Sequence, residues 1–111
     1  MTTTVKNIIP RKAAEAAQTI QYTATECTTV IDKFTVTNTS ANNASFNCNL
    51  VAVDGTATDA NLILKSRVIA PNETYTCPEL VGQVLLAGGT ISTLCGAAGA
   101  LTISASGREI I

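Results

Sequence analysis

With 111 residues, seven basic and eight acidic side chains and a net charge of −1, the chain is expected to form a single domain of low charge. Nucleic acid is not expected as a partner, because neutralising phosphates requires a clustered basic face. A membrane is not expected either, since no stretch approaches the roughly 18 apolar residues of a transmembrane span. Eighteen threonines and the absence of histidine and tryptophan indicate a β-rich fold with half-exposed, Thr-bearing faces.

The first twelve residues, MTTTVKNIIPRK, carry three cations and no acid. They lack the apolar core of a signal peptide, so the protein is expected either to stay in the cytosol where it is made or to be released by a route other than secretion. Pro10 prevents a helix from running through Ile9, which leaves an extended segment. Such a segment is either a frayed terminus or an arm laid over an acidic partner surface. We predict an N-terminal arm over residues 1–17 and a β-sandwich domain over residues 18–111, and expect the domain to stay folded without residues 1–12.

The rest of the chain alternates polar and apolar residues with the period of two that is typical of strands. Strands are predicted over residues 19–25, 30–37, 45–53, 62–69, 74–76, 90–94 and 100–106. Asp32 interrupts the inward face of its strand, so the register near it is left open. Turn signals such as Asp54-Gly55, Pro71-Asn72 and Gly88-Gly89 separate the strands. Strands at roughly 8- to 12-residue spacing predict an antiparallel sandwich, a jelly roll or a barrel.

The alternation within residues 62–69 predicts which side chains enter the core. The inward face is expected to carry Leu62, Leu64 and Val68. The opposite face is expected to carry Ile63, Lys65, Arg67 and Ile69. Two cations flanked by isoleucines are unusual for a face that only contacts solvent. This face is therefore interpreted either as a solvated surface or as a contact with a partner.

The four cysteines, Cys27, Cys48, Cys77 and Cys95, are predicted to be buried thiols that act as small hydrophobic side chains. The chain has no CxxC pair and no histidine, so the usual zinc spacings are missing. A reducing cytosol keeps thiols free, which makes the even count weak support for disulfides. A secreted, disulfide-stabilised lectin or toxin would require an export signal.

The sequence contains no group of residues that predicts catalysis. It has no histidine for general-base work, no phosphate-binding glycine loop and no GxSxG turn. Asp54 and Asp59 share one loop and could bind Ca²⁺, but two solvated turn residues explain them better. We therefore predict that the protein is not an enzyme and has no cofactor and no metal site.

Three segments in order resemble the small capsid decoration (cement or staple) proteins of tailed bacteriophages. They are IDKFTVTNTS, SFNCNLVAVDGTATDANLILKSRVIAPNETYTCPELVGQVLLAGGTIS and LTISASGRE. The resemblance covers nearly all of residues 29–109 and contains no catalytic motif. It implies a β-sandwich of jelly-roll type, bound in many copies to the outside of an icosahedral shell. Together with the strand pattern, the expected fold class is all-β: an antiparallel β-sandwich of jelly-roll type with an extended N-terminal arm.

The expected function is a structural capsid decoration protein, made in the host bacterial cytoplasm and located on the outer capsid surface of the virion. It would staple neighbouring subunits of the major capsid protein of the phage head and so stabilise the shell. A homo-oligomer is expected, with a dimer favoured over a trimer. The predicted capsid contacts are the apolar and basic side chains of the arm and the two cations of residues 62–69: Val5, Lys6, Ile8, Ile9, Arg11, Lys12, Lys65 and Arg67.

The alternative function is that of a carbohydrate-binding jelly-roll domain on a phage surface or fibre protein. Sugar sites usually stack their ligand on aromatic rings, and this chain has four rings: Tyr22, Phe34, Phe46 and Tyr75. Both phenylalanines are predicted to face inward. The scarcity of available rings counts against this alternative.

Overall fold

The computed structural model describes all of residues 1–111 as nine strands in two antiparallel sheets. The first sheet contains, in spatial order, β1 (Thr3–Ala13), β9 (Leu101–Ile110) and β3 (Thr28–Asn38), with the short β6 (Thr74–Tyr75) and β7 (Val84–Leu85) along the other side of β3. The second sheet has the order β2 (Thr19–Thr23), β8 (Thr90–Cys95), β4 (Ala44–Val51) and β5 (Leu62–Ile69). One 3₁₀ turn, Asp59–Asn61, is the only helical element, and no helix could cross a membrane.

The pairing of the strands is that of a jelly roll. β1 pairs with β9, β2 with β8, β3 with β6 and β7, and β4 with β5, as in one long folded hairpin. Additional pairing of β9 with β3 and of β8 with β4 wraps this hairpin into two sheets. β6 and β7 share one strand position beside β3, which gives the eight positions of a jelly roll. The predicted all-β, antiparallel sandwich of jelly-roll type is therefore confirmed.

The core lies between the sheets and follows alternation along β9 and in the first half of β4. At the end of β4, alternation predicted that Ala52 faces inward, but Val51 is buried and Ala52 is exposed. Phe34 and Phe46 are fully buried, and their ring centroids lie 6.1 Å apart across the two sheets. On β9 the buried side chains are those of Leu101, Ile103 and Ala105, as predicted. Tilted aromatic pairs at this separation are favourable beyond the area that they bury, so this pair joins the two sheets near their centre.

All four cysteines are buried and none is bonded to another, which confirms their prediction as buried thiols. Burial raises the pKa of the Cys77 thiol to about 12, because the low-dielectric surroundings penalise the thiolate. Burial likewise raises the pKa of Cys48. Since the thiolate is the reactive form of cysteine, burial and a raised pKa both disfavour reaction of these two side chains.

The segment predicted as an N-terminal arm is a strand of the first sheet, which corrects that prediction. β1 pairs with β9 along its length, and the amide of Thr2 donates to the carbonyl of Ile111 at 3.0 Å. Two β-bulges, one on each side of Ile9, interrupt the pairing. Because a bulge breaks the alternation, the consecutive side chains of Ile8 and Ile9 both enter the core, where they are only 3% and 1% exposed. Pro10 lies in the second bulge of this edge strand, where its missing N–H is tolerated.

The predicted register of β5 is correct at its start and wrong at its end. Leu64 is buried as predicted, but Val68 is 56% exposed and Ile69 is fully buried. The cause is an extra residue in β5 between the pairs Cys48↔Leu64 and Phe46↔Arg67. Ser66 adopts a φ of 50° there, and its amide donates to the side-chain oxygen of Asn47 at 2.5 Å. A shift of one residue moves every following side chain to the other face.

Asp32 marks a third irregularity, at the position where the sequence left the register open. β3 carries one extra residue between Ile31 and Lys33 in its pairing with β9. The Asp32 carboxylate accepts two hydrogen bonds from Arg108, at 3.0 Å from Nε and 2.9 Å from Nη2. The neighbouring Gly107 approaches β3 so closely that a Cβ would lie 2.2 Å from the Val30 carbonyl oxygen. Only glycine fits this position without moving the backbone.

The corrected register of β5 predicts that substitutions at two adjacent residues change the free energy of unfolding by very different amounts. Ile69→Ala should lower the free energy of unfolding by about 2–5 kcal/mol, because it leaves a cavity in the core. Val68→Ala should change it by less than about 0.5 kcal/mol, because that side chain is mostly exposed. Urea unfolding of the two variants measures both values. A larger loss for Val68→Ala than for Ile69→Ala would refute the register.

Deletion of residues 1–12 should destabilise the domain, contrary to the expectation for a free arm. The deletion removes Ile8 and Ile9 from the core and exposes the edge of β9, so a loss of more than about 4 kcal/mol is expected. Val5→Ser is the matched control, because it changes an exposed side chain of the same strand and keeps the strand pairing. Urea unfolding and size-exclusion chromatography measure the outcome. A deletion variant as stable as the full chain would show that β1 is a detachable arm after all.

Candidate functional site

A groove of about 300 Å³ opens between the two sheets at one end of the sandwich. Eight of its nine lining residues are hydrophobic and none is charged. They come from the end of β4 and from β7 and the loop that follows it: Leu50, Val51, Ala52, Val53, Val84, Leu85, Leu86, Ala87 and Gly89. We call this the apolar groove.

Three large hydrophobic side chains of the apolar groove are left exposed. Leu86 is 72% exposed, Val53 58% and Val84 51%. Gly88, with a φ of 86°, turns the chain against Val53, and a Cβ at Gly88 would lie only 2.6 Å from Val53 Cγ2. Burying a side chain of this size gains roughly 1.5–3 kcal/mol, so a partner that covered the groove would be stabilised substantially. The sequence predicted the Gly88-Gly89 turn but not the groove, because its walls belong to different sheets.

A second concavity, of about 350 Å³, lies on the outer face of the first sheet. We call it the polar depression. Eight of its nine lining residues are polar, and two of these eight are cations: Asn7, Arg11, Lys33, Thr35, Thr37, Thr102, Ser104 and Ser106, with Ala105 the exception. Thr35 lies opposite Ser104, Thr37 opposite Thr102, and Lys33 opposite Ser106, so the hydroxyls form a ladder across β3 and β9.

The structure divides the predicted contact residues between two separate places. Those from the first twelve residues lie on β1 at one side of the sandwich. Lys65 and Arg67 lie on β5, at the other side of the sandwich. There β5 is next to β6, as shown by the distance of 4.1 Å from the guanidinium carbon of Arg67 to the centre of the Tyr75 ring. The eight predicted contacts therefore do not form one continuous surface.

Ile8 and Ile9 are buried, so their prediction as contact residues is corrected: the β1 bulges turn them into core residues. Val5 is 81% exposed and remains available. Lys6 forms an ion pair with Glu109 at 3.3 Å, and Lys12 forms one with Glu15 at 2.8 Å.

Only three of the seven cations form ion pairs, those of Lys6, Lys12 and Arg108. The other four are exposed and fall into two pairs, one on each of two surfaces. Arg11 and Lys33 flank the polar depression, whereas Lys65 and Arg67 lie along β5. Lys33 was not among the predicted contacts, because the alternation of β3 alone gives no indication that Arg11 shares its surface.

Arg67 is held in place by its neighbours. Its guanidinium stacks on Tyr75, whose hydroxyl donates to the Glu79 carboxylate at 2.5 and 2.8 Å. This hydrogen bond raises the pKa of Tyr75 to about 12 and lowers the pKa of Glu79. The stacked guanidinium covers one face of the only aromatic ring that is not buried.

A polar network joins the sheets at the end that carries the chain termini. The hydroxyl of Tyr22 donates to the carboxylate of Glu109 and lies 2.7 Å from Thr29 Oγ1. Burial raises the pKa of Tyr22, and the Tyr22 hydrogen bond lowers the pKa of Glu109, with a further contribution from Lys6. No local pattern in the sequence indicates this pair, because Glu109 lies 87 residues from Tyr22.

No three His, Cys, Asp or Glu side chains lie close enough together to hold a metal ion. Every buried side-chain nitrogen and oxygen has a hydrogen-bond partner. The features available for binding are therefore the apolar groove, the polar depression and the cations of β5. Comparison of the chain with protein-family models, curated proteins and solved structures found no match.

The lowered pKa of Glu109 predicts a pH dependence of stability. A carboxylate whose pKa is lower in the folded than in the unfolded chain stabilises the fold above its ordinary pKa of 4.5. That contribution is lost as the pH falls through the folded value. Glu15 acts with the same sign, because hydrogen bonds from Lys12 and then Gln21 lower its pKa to about 2. Stability should therefore fall between pH 4.5 and about 2.

Glu109→Gln tests this assignment. The variant should lose about 1 kcal/mol at pH 7 and less at pH 3, because the wild-type carboxylate is already being protonated there. Urea unfolding at the two pH values gives the comparison. Glu26→Gln is the control, since Glu26 is exposed and forms no ion pair. An equal loss at both pH values would show that the Glu109 charge does not matter.

Proposed function

We propose that the protein is a structural capsid decoration protein, which binds the outside of an icosahedral phage head and staples neighbouring major capsid protein subunits. The observation that carries this proposal is the apolar groove, because it exposes three large hydrophobic side chains on a chain whose buried polar atoms are all paired. Contiguous exposed apolar surface of this kind is typical of sites for protein partners. The resemblance of residues 29–109 to capsid decoration proteins supports the same function.

The chemistry of the groove favours a protein partner with an apolar protrusion. None of the nine lining residues is charged, so a charged group placed there would lose its hydration without gaining an ion pair. An uncharged aliphatic or aromatic side chain of the major capsid protein would instead bury Leu86 and Val53. The groove is already formed in the unbound chain, where Gly88 packs closely against Val53, and a preformed site lowers the entropic cost of docking.

A staple of this kind would work without catalysis. Contacts from one copy to two neighbouring capsid subunits make the second contact effectively intramolecular, so weak individual sites add up to firm attachment. Because the protein would bind the assembled shell and not free subunits, it would shift the equilibrium towards the shell by mass action. Homodimers on the virion surface, with one copy on each side of a two-fold axis, fit this role, and native mass spectrometry of the free protein tests the dimer.

Carbohydrate binding remains the alternative proposal. The hydroxyls of the polar depression are the feature that favours it. Phe34, Phe46 and Tyr22 are buried, and Arg67 stacks on Tyr75, so little ring surface is offered to a sugar. A glycan array probed with the purified protein separates the two functions, since specific hits would favour the alternative.

Substitutions in the apolar groove should weaken binding to phage heads. Heads assembled from the major capsid protein encoded in the same genome would be titrated with purified protein and sedimented, which gives the Kd. Leu86→Ser and Val53→Ser should each raise this Kd at least about tenfold, because burial of one such side chain is worth that factor or more. Ile20→Ser is the matched control, since Ile20 is 62% exposed but lies on β2, at the opposite edge of the second sheet from the cations of β5.

An equal Kd for the wild type and the two groove variants would exclude the groove as the contact. A genome that encodes no capsid protein, or heads that do not bind the wild type, would refute the proposed function itself. Urea unfolding of each variant establishes that a loss of binding does not come from a loss of folding.

A further inference from the structure

We infer that the polar depression is a binding site for an extended acidic peptide segment. As a contact with the shell protein this inference rests on the proposed function, but the site itself can be tested with the isolated protein. The inference starts from the two cations at the rim, Arg11 and Lys33, neither of which forms an ion pair. No carboxylate lines the depression, so a bound anion would meet no like charge there. The nearest acid in sequence, Asp32, is already occupied by two hydrogen bonds from Arg108.

The two cations are placed to hold two anionic groups of one extended ligand. Arg11 lies on β1 and Lys33 on β3, with β9 between them, so two strand spacings of roughly 10 Å in total separate their backbones. Carboxylates on alternate residues of an extended chain lie roughly 7 Å apart, and flexible Glu side chains cover the remainder. The Arg11 guanidinium can bind a carboxylate with two parallel hydrogen bonds.

The floor of the depression suits peptide backbone. Thr37 Oγ1 is bonded to Thr74 Oγ1 at 2.9 Å, whereas the hydroxyls of Thr35, Thr102 and Ser104 have no partner within the chain. These side chains are half-buried, so they are ordered by their neighbours and yet reachable. A hydroxyl both donates and accepts, and it can therefore bind either the N–H or the C=O group of a peptide.

Other polyanions fit the site less well. Nucleic acid needs a longer basic stripe than two cations, and the whole chain carries a net charge of −1. An acidic polysaccharide would normally stack on an aromatic ring, but no ring lines the depression. An acidic peptide requires neither feature.

Binding of fluorescent poly-L-glutamate to the full-length protein tests the inference. Fluorescence anisotropy at about 50 mM salt should show saturable binding that weakens as the salt concentration rises. The double variant Arg11→Gln/Lys33→Gln should raise the Kd at least about tenfold, because both ion pairs are lost. Lys65→Gln/Arg67→Gln is the matched control, since it removes the same net charge from exposed, unpaired cations elsewhere and should leave the Kd within about twofold.

A second variant tests the hydroxyl floor separately from the charges. Thr35→Val/Thr102→Val keeps the shape of the side chains and removes two hydroxyls, and it should weaken binding several-fold. An unchanged Kd for this variant, an equal loss in both charge variants, or no binding of the wild type would each overturn the inference. Polygalacturonate and duplex DNA serve as competitors of other classes, and either one binding more tightly than poly-L-glutamate would overturn the assignment to peptide.

The outcome is independent of the proposed function. Binding of poly-L-glutamate at the depression together with a failure to bind phage heads would leave the peptide site standing and refute the staple. Head binding through the apolar groove, without any effect of the Arg11→Gln/Lys33→Gln variant in either assay, would retain the staple and refute the peptide site.

Discussion

The first sheet depends on the close approach of β9 to β3 at Gly107. β9 pairs with β1 on one side and with β3 on the other, and a Cβ at Gly107 would lie 2.2 Å from the Val30 carbonyl oxygen. The absence of this one side chain lets β3 carry its extra residue, Asp32, without breaking the pairing. The extra residue leaves Asp32 and Lys33 both exposed between the buried Ile31 and Phe34, and Lys33 flanks the polar depression. The close approach at Gly107 therefore supports the pairing of β3 with β9 beside the polar depression.

Alternation predicted the core wherever the strand was regular and failed wherever it was bulged. Phe34, Phe46 and Ile103 are buried, as alternation along their strands predicts, and none of them is an extra residue of a bulge. Ile9 and Ile69 belong to strands with bulges, and a bulge is defined by the pairing with the neighbouring strand. The local sequence pattern therefore could not predict whether these two side chains face the core or the solvent. The arm was mistaken for the same reason: a β1 that buries two consecutive isoleucines does not alternate.

The candidate surfaces were less predictable than the fold, because each is assembled from distant segments. The apolar groove needs the end of β4 beside the loop after β7, and the polar depression needs Arg11 of β1 two strands away from Lys33 of β3. Only the jelly-roll pairing brings these residues together. Arg11 was predicted as a contact together with Lys6 and Lys12, and the latter two form ion pairs. Whether a cation is paired depends on neighbours that are distant in sequence, so the sequence could not distinguish Arg11 from them.

β1 is an edge strand of 11 residues. The backbone groups along its free edge could pair with a strand of another protein molecule. Its two bulges, Pro10 and its three cations oppose such pairing, for a second copy would bring like charges and mismatched hydrogen bonds to the edge. Because backbone pairing at this edge is disfavoured, specific contacts with a partner would be made by side chains. The proposed staple, which would reach a shell as free copies, would need that separation: an edge that does not polymerise, and an apolar groove and a polar depression that act only when a complementary partner is present.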